Sequence, residues 1–193
     1  MNYTEAIIDL AEKSMTPGGF KLLMLIEGKM PDIWDRPSSS TNKYHKKADG
    51  SVPTIAEHVY EMLFAGTKII RMFGGKLVSV QNDCFLMAII LHDIQKYGPK
   101  GINPHTTPNH DKTMADLLLK NKKTLMTHFT SDEADVLIDG VRYHSGRWSK
   151  SVPNMNQFNF ADYHPVVMFT HFLDMLSTAN LLKIPHEVDD LPF

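Results

Sequence analysis

The sequence predicts an all-α chain, folded as a compact bundle of six or seven helices. Three observations carry that expectation. Apolar residues recur at helical spacing through most of the chain. Two Thr-x-x-Glu segments, Thr54-Ile55-Ala56-Glu57 and Thr130-Ser131-Asp132-Glu133, stand where helix capping boxes belong. No stretch reads persuasively as a strand.

The first helix spans Tyr3–Ser14, with Ile7, Ile8, Leu10 and Ala11 at helical spacing and Thr4 as its cap. Pro17-Gly18-Gly19 breaks the chain, and residues 20–26 form a short helix, with a strand as the alternative for so brief an apolar run. Periodicity vanishes over residues 28–53, a loop long enough to suggest function. A helix resumes after Pro53, buries Val59, Met62, Leu63, Ile69 and Ile70, and ends at Gly74-Gly75. The next, over residues 81–97, is apolar almost all round and so belongs at the centre. Gly98, Pro99, Gly101, Pro104 and Pro108 mark a rigid loop before a helix starting near Asn109. The second capping box opens a helix carrying Val136, Leu137 and Val141. A long loop over residues 145–164 leads to a final helix that opens at Pro165, a favoured first helical position, and runs to residue 182.

Composition narrows the class. At 193 residues the chain suits one domain spanning 1–193, which can bury roughly 70% of the surface of its unfolded chain. A formal charge of −2 gives no global basic field, which argues against long duplex nucleic acid as a partner. Cys84 is the only cysteine, so an intramolecular disulfide and a cysteine-based zinc knuckle are excluded, and its apolar surroundings mark it as a small buried hydrophobe. Glu5, Asp9 and Glu12 interrupt the apolar N-terminus, unlike a signal peptide, and no apolar run reaches the ~20 residues of a membrane span. A cytoplasmic protein without membrane partners is expected.

The informative residues are histidines and aspartates on otherwise apolar helices. His92-Asp93 closes the most apolar helix, where an unpaired buried carboxylate would be prohibitively costly. His58 sits one turn into an amphipathic helix, and Asp174 lies inside Phe172-Leu173-Asp174-Met175-Leu176. Three helices each offering such a group suggest convergence on a cation. A helix-terminal pair facing solvent is the alternative for His92-Asp93 taken alone.

In that order, His58, His92-Asp93 and Asp174 resemble the motif of the HD-domain superfamily of metal-dependent phosphohydrolases, over about residues 40–182. The run Leu91-His92-Asp93-Ile94-Gln95-Lys96-Tyr97 is similar to the His-Asp-Ile-Gly-Lys run of the two-metal members. Those members place two further histidines between the pair and the last aspartate, and His110 and His144 fit them, with His105 the alternative to His110. The one-metal deoxynucleotide hydrolases carry acidic residues after the pair, where this chain has Gln95 and Lys96. Upstream, residues 37–45 look like the serine-rich Tyr-His stretch of HD-type exoribonucleases and their phage relatives, although Ser51-Val52-Pro53 replaces that family's Gly-Gly-Leu turn.

The resemblance implies two divalent ions (Mn, Fe, Mg, Ni, Co or Zn) held by His58, His92, Asp93, His110, His144 and Asp174. Asp93 would bridge them, and a metal-bound hydroxide would attack phosphorus. Lys96, four residues after His92, is expected to meet a phosphate oxygen, with capping of the last helix carbonyls as the alternative. Lys43 and His45 on the first loop, and Arg147 and Trp148 after His144, are expected at the substrate, the indole stacking on a base; solvated side chains for the first two and an indole that only covers the domain surface are the alternatives. His171, three residues before Asp174, reads as a core residue, with a partner behind the ligands as the alternative, and His128, His164 and His186 read as surface residues. The expected activity is hydrolysis of a phosphoester in a nucleotide or short oligonucleotide, as a phosphodiesterase or nucleotidase. A di-iron oxygenase of the same helical type, or a non-catalytic nucleotide sensor, are the alternatives. A homo-oligomer is compatible with either.

Overall fold

A computed structural model describes residues 1–39, 47, 49–72, 79–152, 158–179 and 181–182. The described residues form eight α-helices and no strand, the one β-type pairing being an isolated antiparallel bridge between Pro37 and Thr54. The all-α expectation is met, with one or two helices more than predicted.

α1 (Tyr3–Ser14) is capped by Asn2, whose side chain accepts from the Glu5 amide, and not by Thr4. α2 (Pro17–Glu27) opens at Pro17, so the Pro-Gly-Gly segment starts a helix instead of breaking one. Proline lacks only an amide that the first turn leaves unpaired anyway, and the Thr16 hydroxyl accepts from Gly19 N. α3 (Ile55–Met72) begins as expected after Pro53, with Thr54 Oγ accepting from Glu57 N. Its capping box stays half-made because the Glu57 carboxylate pairs instead with Lys47 at 2.6 Å. The glycine pair expected to end this helix lies outside the described residues.

α4 (Val80–Leu91) is buried from Asp83 to Leu91 and is the central helix. It ends at Leu91, six residues earlier than predicted, and residues 92–97 continue as turns. Ile94 and Tyr97 are buried there as well, which is why their spacing mimicked helix. α5 (His110–Lys120) is followed by the short α6 (Lys122–Leu125). α7 (Ser131–Arg142) carries the fully formed Thr130–Glu133 capping box. α8 (Pro165–Thr178) is capped by His164, whose Nδ1 accepts from Val166 N.

α1 packs on α3, α5 packs on α7, and α4 is enclosed by α2, α3, α7 and α8. Burying most of a helix's circumference demands partners on every side, and α4 has them. Cys84 lies in this core, where burial pushes its thiol up to about 12, so it is no nucleophile. No helix among the described residues is long and apolar enough to cross a membrane.

Candidate metal centre

Several helix ends meet beside α3 and α8. His92 caps the C-terminus of α4 and Asp93 follows it. His144 follows the C-terminus of α7, and His110 opens α5. His58 comes from the first turn of α3 and Asp174 from the middle of α8. The carbonyl-rich ends of α4 and α7 bring partial negative charge to this point.

Local hydrogen bonds decide which ring nitrogen each histidine presents. His92 Nδ1 lies 2.7 Å from Ile89 O, His144 Nδ1 2.7 Å from Val141 O, and His110 Nδ1 2.9 Å from Thr107 O. A carbonyl can only accept, so Nδ1 carries the proton in all three, each time toward the carbonyl three residues back. For His92 and His144 that carbonyl is one the helix end leaves unpaired. Nε2 is therefore bare in the neutral rings, and the bare nitrogens converge. His58 Nε2 is 3.3 Å from His92 Nε2, and His110 Nε2 is 3.3 Å from His144 Nε2. In the His110–His144 pair, two lone pairs at that distance repel unless something positive lies between them.

Asp93 is shared between the two pairs. Its Oδ2 lies 3.5 Å from His92 Nε2 and 3.8 Å from His58 Nε2, while its Oδ1 lies 3.1 Å from His110 Nε2 and 3.8 Å from His144 Nε2. His58, His92 and Asp93 form one triad of ligand atoms within 4.8 Å of one another, and Asp93, His110 and His144 a second. Asp93 is 1% exposed, yet its Oδ1 has no hydrogen-bond donor, because the nearby nitrogens are bare. Asp174 Oδ1 stands 3.3 Å from His58 Nε2. A buried carboxylate oxygen without a donor, among inward-facing imidazoles, fits a divalent cation.

Protonation follows the same logic. Burial pushes His144 down to about 3, helped by His92 and His110, and burial likewise lowers His58 against the pull of Asp174. Burial also acts against charge on His92, but Asp93 outweighs it and the net shift is upward. Burial would raise Asp93 and Asp174. Lys96 and His92 hold Asp93 well below the usual carboxylate range instead, and His58 does the same for Asp174. Ionised carboxylates and neutral imidazoles are the forms that bind metal.

All six expected ligand residues meet at this point. Lys96 reaches the centre too, where its ammonium pairs with Asp93 Oδ2. Arg147 and Trp148 form a 3-10 turn just past His144 (Gly146–Trp148), both exposed, the guanidinium lying 4.7 Å over the indole. Lys43 and His45 lie outside the described residues. His105 is exposed on its loop, leaving the position to His110.

Sequence reasoning favoured a core role for His171 over a partner behind the ligands, and it left other neighbours unmarked. His171 is not merely core: its Nδ1 bonds the His144 carbonyl at 2.6 Å, and its ring packs on Phe160 and Trp148. Gly146 permits this, because its φ of +57° suits glycine and a Cβ there would meet His171 Cε1 at 2.8 Å. Tyr143, Phe158, Phe160 and Tyr163 continue an aromatic chain along the same loop. Ser177 and Glu61, behind His58, were also unmarked. The helical spacing of 174 and 177 on α8 was the one available signal for Ser177.

The HD domain family model matches residues 55–184, more than half of the chain, so this protein belongs to the HD domain family. That family is largely one of metal-dependent hydrolases, and its members bind divalent metals. No curated protein and no solved structure matches the chain.

Proposed function

We propose that this protein is a metal-dependent phosphohydrolase that cleaves a phosphoester of a nucleotide or short oligonucleotide. The observation that carries the reading is the convergence of four imidazoles with Asp174 and Asp93, the latter having a buried oxygen that lacks a donor. His58, His92 and Asp93, with Asp174, would hold one divalent ion, and Asp93, His110 and His144 a second. Such ions would supply an acidified water and charge neutralisation for the phosphoryl oxygens.

The chain's own residues would do the rest. The Nδ1 anchors keep the histidine rings turned inward without help from the ligand. Lys96, on Asp93 at the margin of the cluster with its side chain 12% exposed, would move to a phosphate oxygen once cations take over the carboxylate. The Lys96 ammonium beside the cluster favours an anionic substrate over oxygen chemistry. Trp148 and Arg147 would offer a base a stacking face beside a positive charge.

The test is a screen of purified protein with Mn and other divalent ions against nucleoside mono-, di- and triphosphates, cyclic dinucleotides and short single strands. Metal-dependent release of phosphate or nucleotide, abolished by a chelator, is expected. Turnover indifferent to chelation, or no uptake of any divalent ion, contradicts the reading.

A further inference from the structure

Three of the four inward-facing histidines are anchored by main-chain carbonyls, which no substitution removes. His58 is different. It sits inside the regular part of α3, where each carbonyl is already taken by the amide four residues on. Its Nδ1 turns instead to a side chain of another helix, Ser177 Oγ on α8, at 2.8 Å. The Ser177 hydroxyl donates to Glu61 Oε2 at 2.7 Å.

The direction of these bonds follows from counting protons. A serine hydroxyl has one proton and two lone pairs, and a carboxylate only accepts. While Glu61 is ionised it takes the proton, so Ser177 can offer His58 only a lone pair. His58 Nδ1 must then carry its own N–H, which leaves Nε2 bare beside His92 and Asp174. Glu61 lies three residues after His58 on α3, and Ser177 three after Asp174 on α8. One relay thus ties together the two helices that carry those two groups.

We propose that Ser177 and Glu61 are positioning residues that set the tautomer and orientation of His58 from behind the metal centre. The proposal rests on the functional reading above only for its consequence in metal affinity; the tautomer does not depend on it. Partners of this kind govern affinity because they fix which nitrogen faces the ion.

The test uses the full chain. Nitrogen-15 NMR of the histidine rings of metal-free protein reads the tautomer of His58, assigned by its loss in His58→Gln. Chelator competition reads Mn affinity. Wild type should show His58 as the Nδ1–H form. Glu61→Leu frees the Ser177 proton to turn toward His58, and a share of His58 should convert to the Nε2–H form although residue 61 does not touch the centre. Ser177→Ala should weaken Mn binding about 10- to 100-fold, and Ser177→Thr, which keeps the hydroxyl, should restore it. An unchanged His58 tautomer in both Glu61→Leu and Ser177→Ala overturns the proposal, as does Mn affinity in Ser177→Ala equal to wild type. If wild type takes up no Mn, the functional reading falls while the NMR arm still judges the relay.

Discussion

Two buried carboxylates of α4 and its C-terminal turn each meet an imidazole, and they end in opposite states. Asp83, in the first turn, is fully buried, and each of its oxygens has donors. Oδ1 accepts from Thr16 N at 3.0 Å, while Oδ2 accepts from Thr16 Oγ at 2.5 Å and lies 2.8 Å from His128 Nε2. Gly19 lets this happen, since a Cβ there would collide with the carboxylate. Asp93, just past the other end of the helix, has bare imidazole nitrogens around it and an oxygen no proton reaches. A buried His–Asp contact is therefore not by itself a metal site. The excess of acceptors over donors distinguishes the two, and only the Asp93 cluster has it.

That contrast predicts a double dissociation. Asp93→Ala should abolish metal uptake and lower turnover by at least about 1000-fold, roughly 4 kcal/mol of transition-state stabilisation, in a protein that still folds. Asp83→Ala should instead cost about 3–5 kcal/mol of stability, because it strips a closed network at the N-terminus of α2, while folded molecules keep their metal. Thermal melts and elemental analysis on both variants separate the roles. Exchanged phenotypes would break the comparison.

The difference also explains what could be read in advance. The adjacency of His92 and Asp93, the placement of His58 and Asp174 on apolar helices, and the two Thr-x-x-Glu segments were visible because each is local. His128 read as a surface residue, yet its side chain is only 13% exposed and lies on Asp83. Nothing near it in sequence signals a partner 45 residues away. The same distant carboxylate explains the start of α2, where Pro17-Gly18-Gly19 looks like a break until the need for a Cβ-free contact with Asp83 is known. The early end of α4 was hidden for another reason. Ile94 and Tyr97 are buried from turns, and burial alone does not distinguish a turn from a helix.

Lys96 sharpens the comparison, because its ammonium balances the charge of Asp93 in this structure, whereas Asp83 is met by backbone, hydroxyl and imidazole groups. If it serves substrate phosphate, Lys96→Met should lower kcat/KM about 10- to 1000-fold with metal content unchanged. If it serves only Asp93, the same variant should keep its turnover and bind metal more tightly. Substitution of His110 or His144 by alanine should bring bound Mn from two ions per chain towards one, read by elemental analysis. A value of one that ignores both substitutions favours a single-ion centre built on His58, His92, Asp93 and Asp174.

Acid should act on the Asp93 cluster in the metal-free protein. His144 is depressed to about 3, so the unfolded chain takes its proton first. Its stabilising share is full above an unfolded pKa of about 6.5 and is lost as pH falls towards 3. His58 shifts in the same direction, and Asp93 and Asp174 add further loss below about 3.9. His92, raised by Asp93, runs the other way, its share disappearing as pH rises through its folded value. Melting temperature should fall between pH 7 and 4, and His144→Gln should flatten that slope. An unaltered slope would remove His144 from the acid response.

The central claim, that the acceptors around Asp93 exist to hold cations, is tested most directly by anomalous diffraction from crystals loaded with Mn. The account predicts density between the imidazoles, with one ion near His58, His92, Asp93 and Asp174 and another near Asp93, His110 and His144. Each ion should lie roughly 2.0–2.3 Å from His Nε2 and carboxylate oxygens, about the range of first-row metal ligands. Loaded crystals with no anomalous peak at Asp93, or with Mn bound only elsewhere, would contradict it.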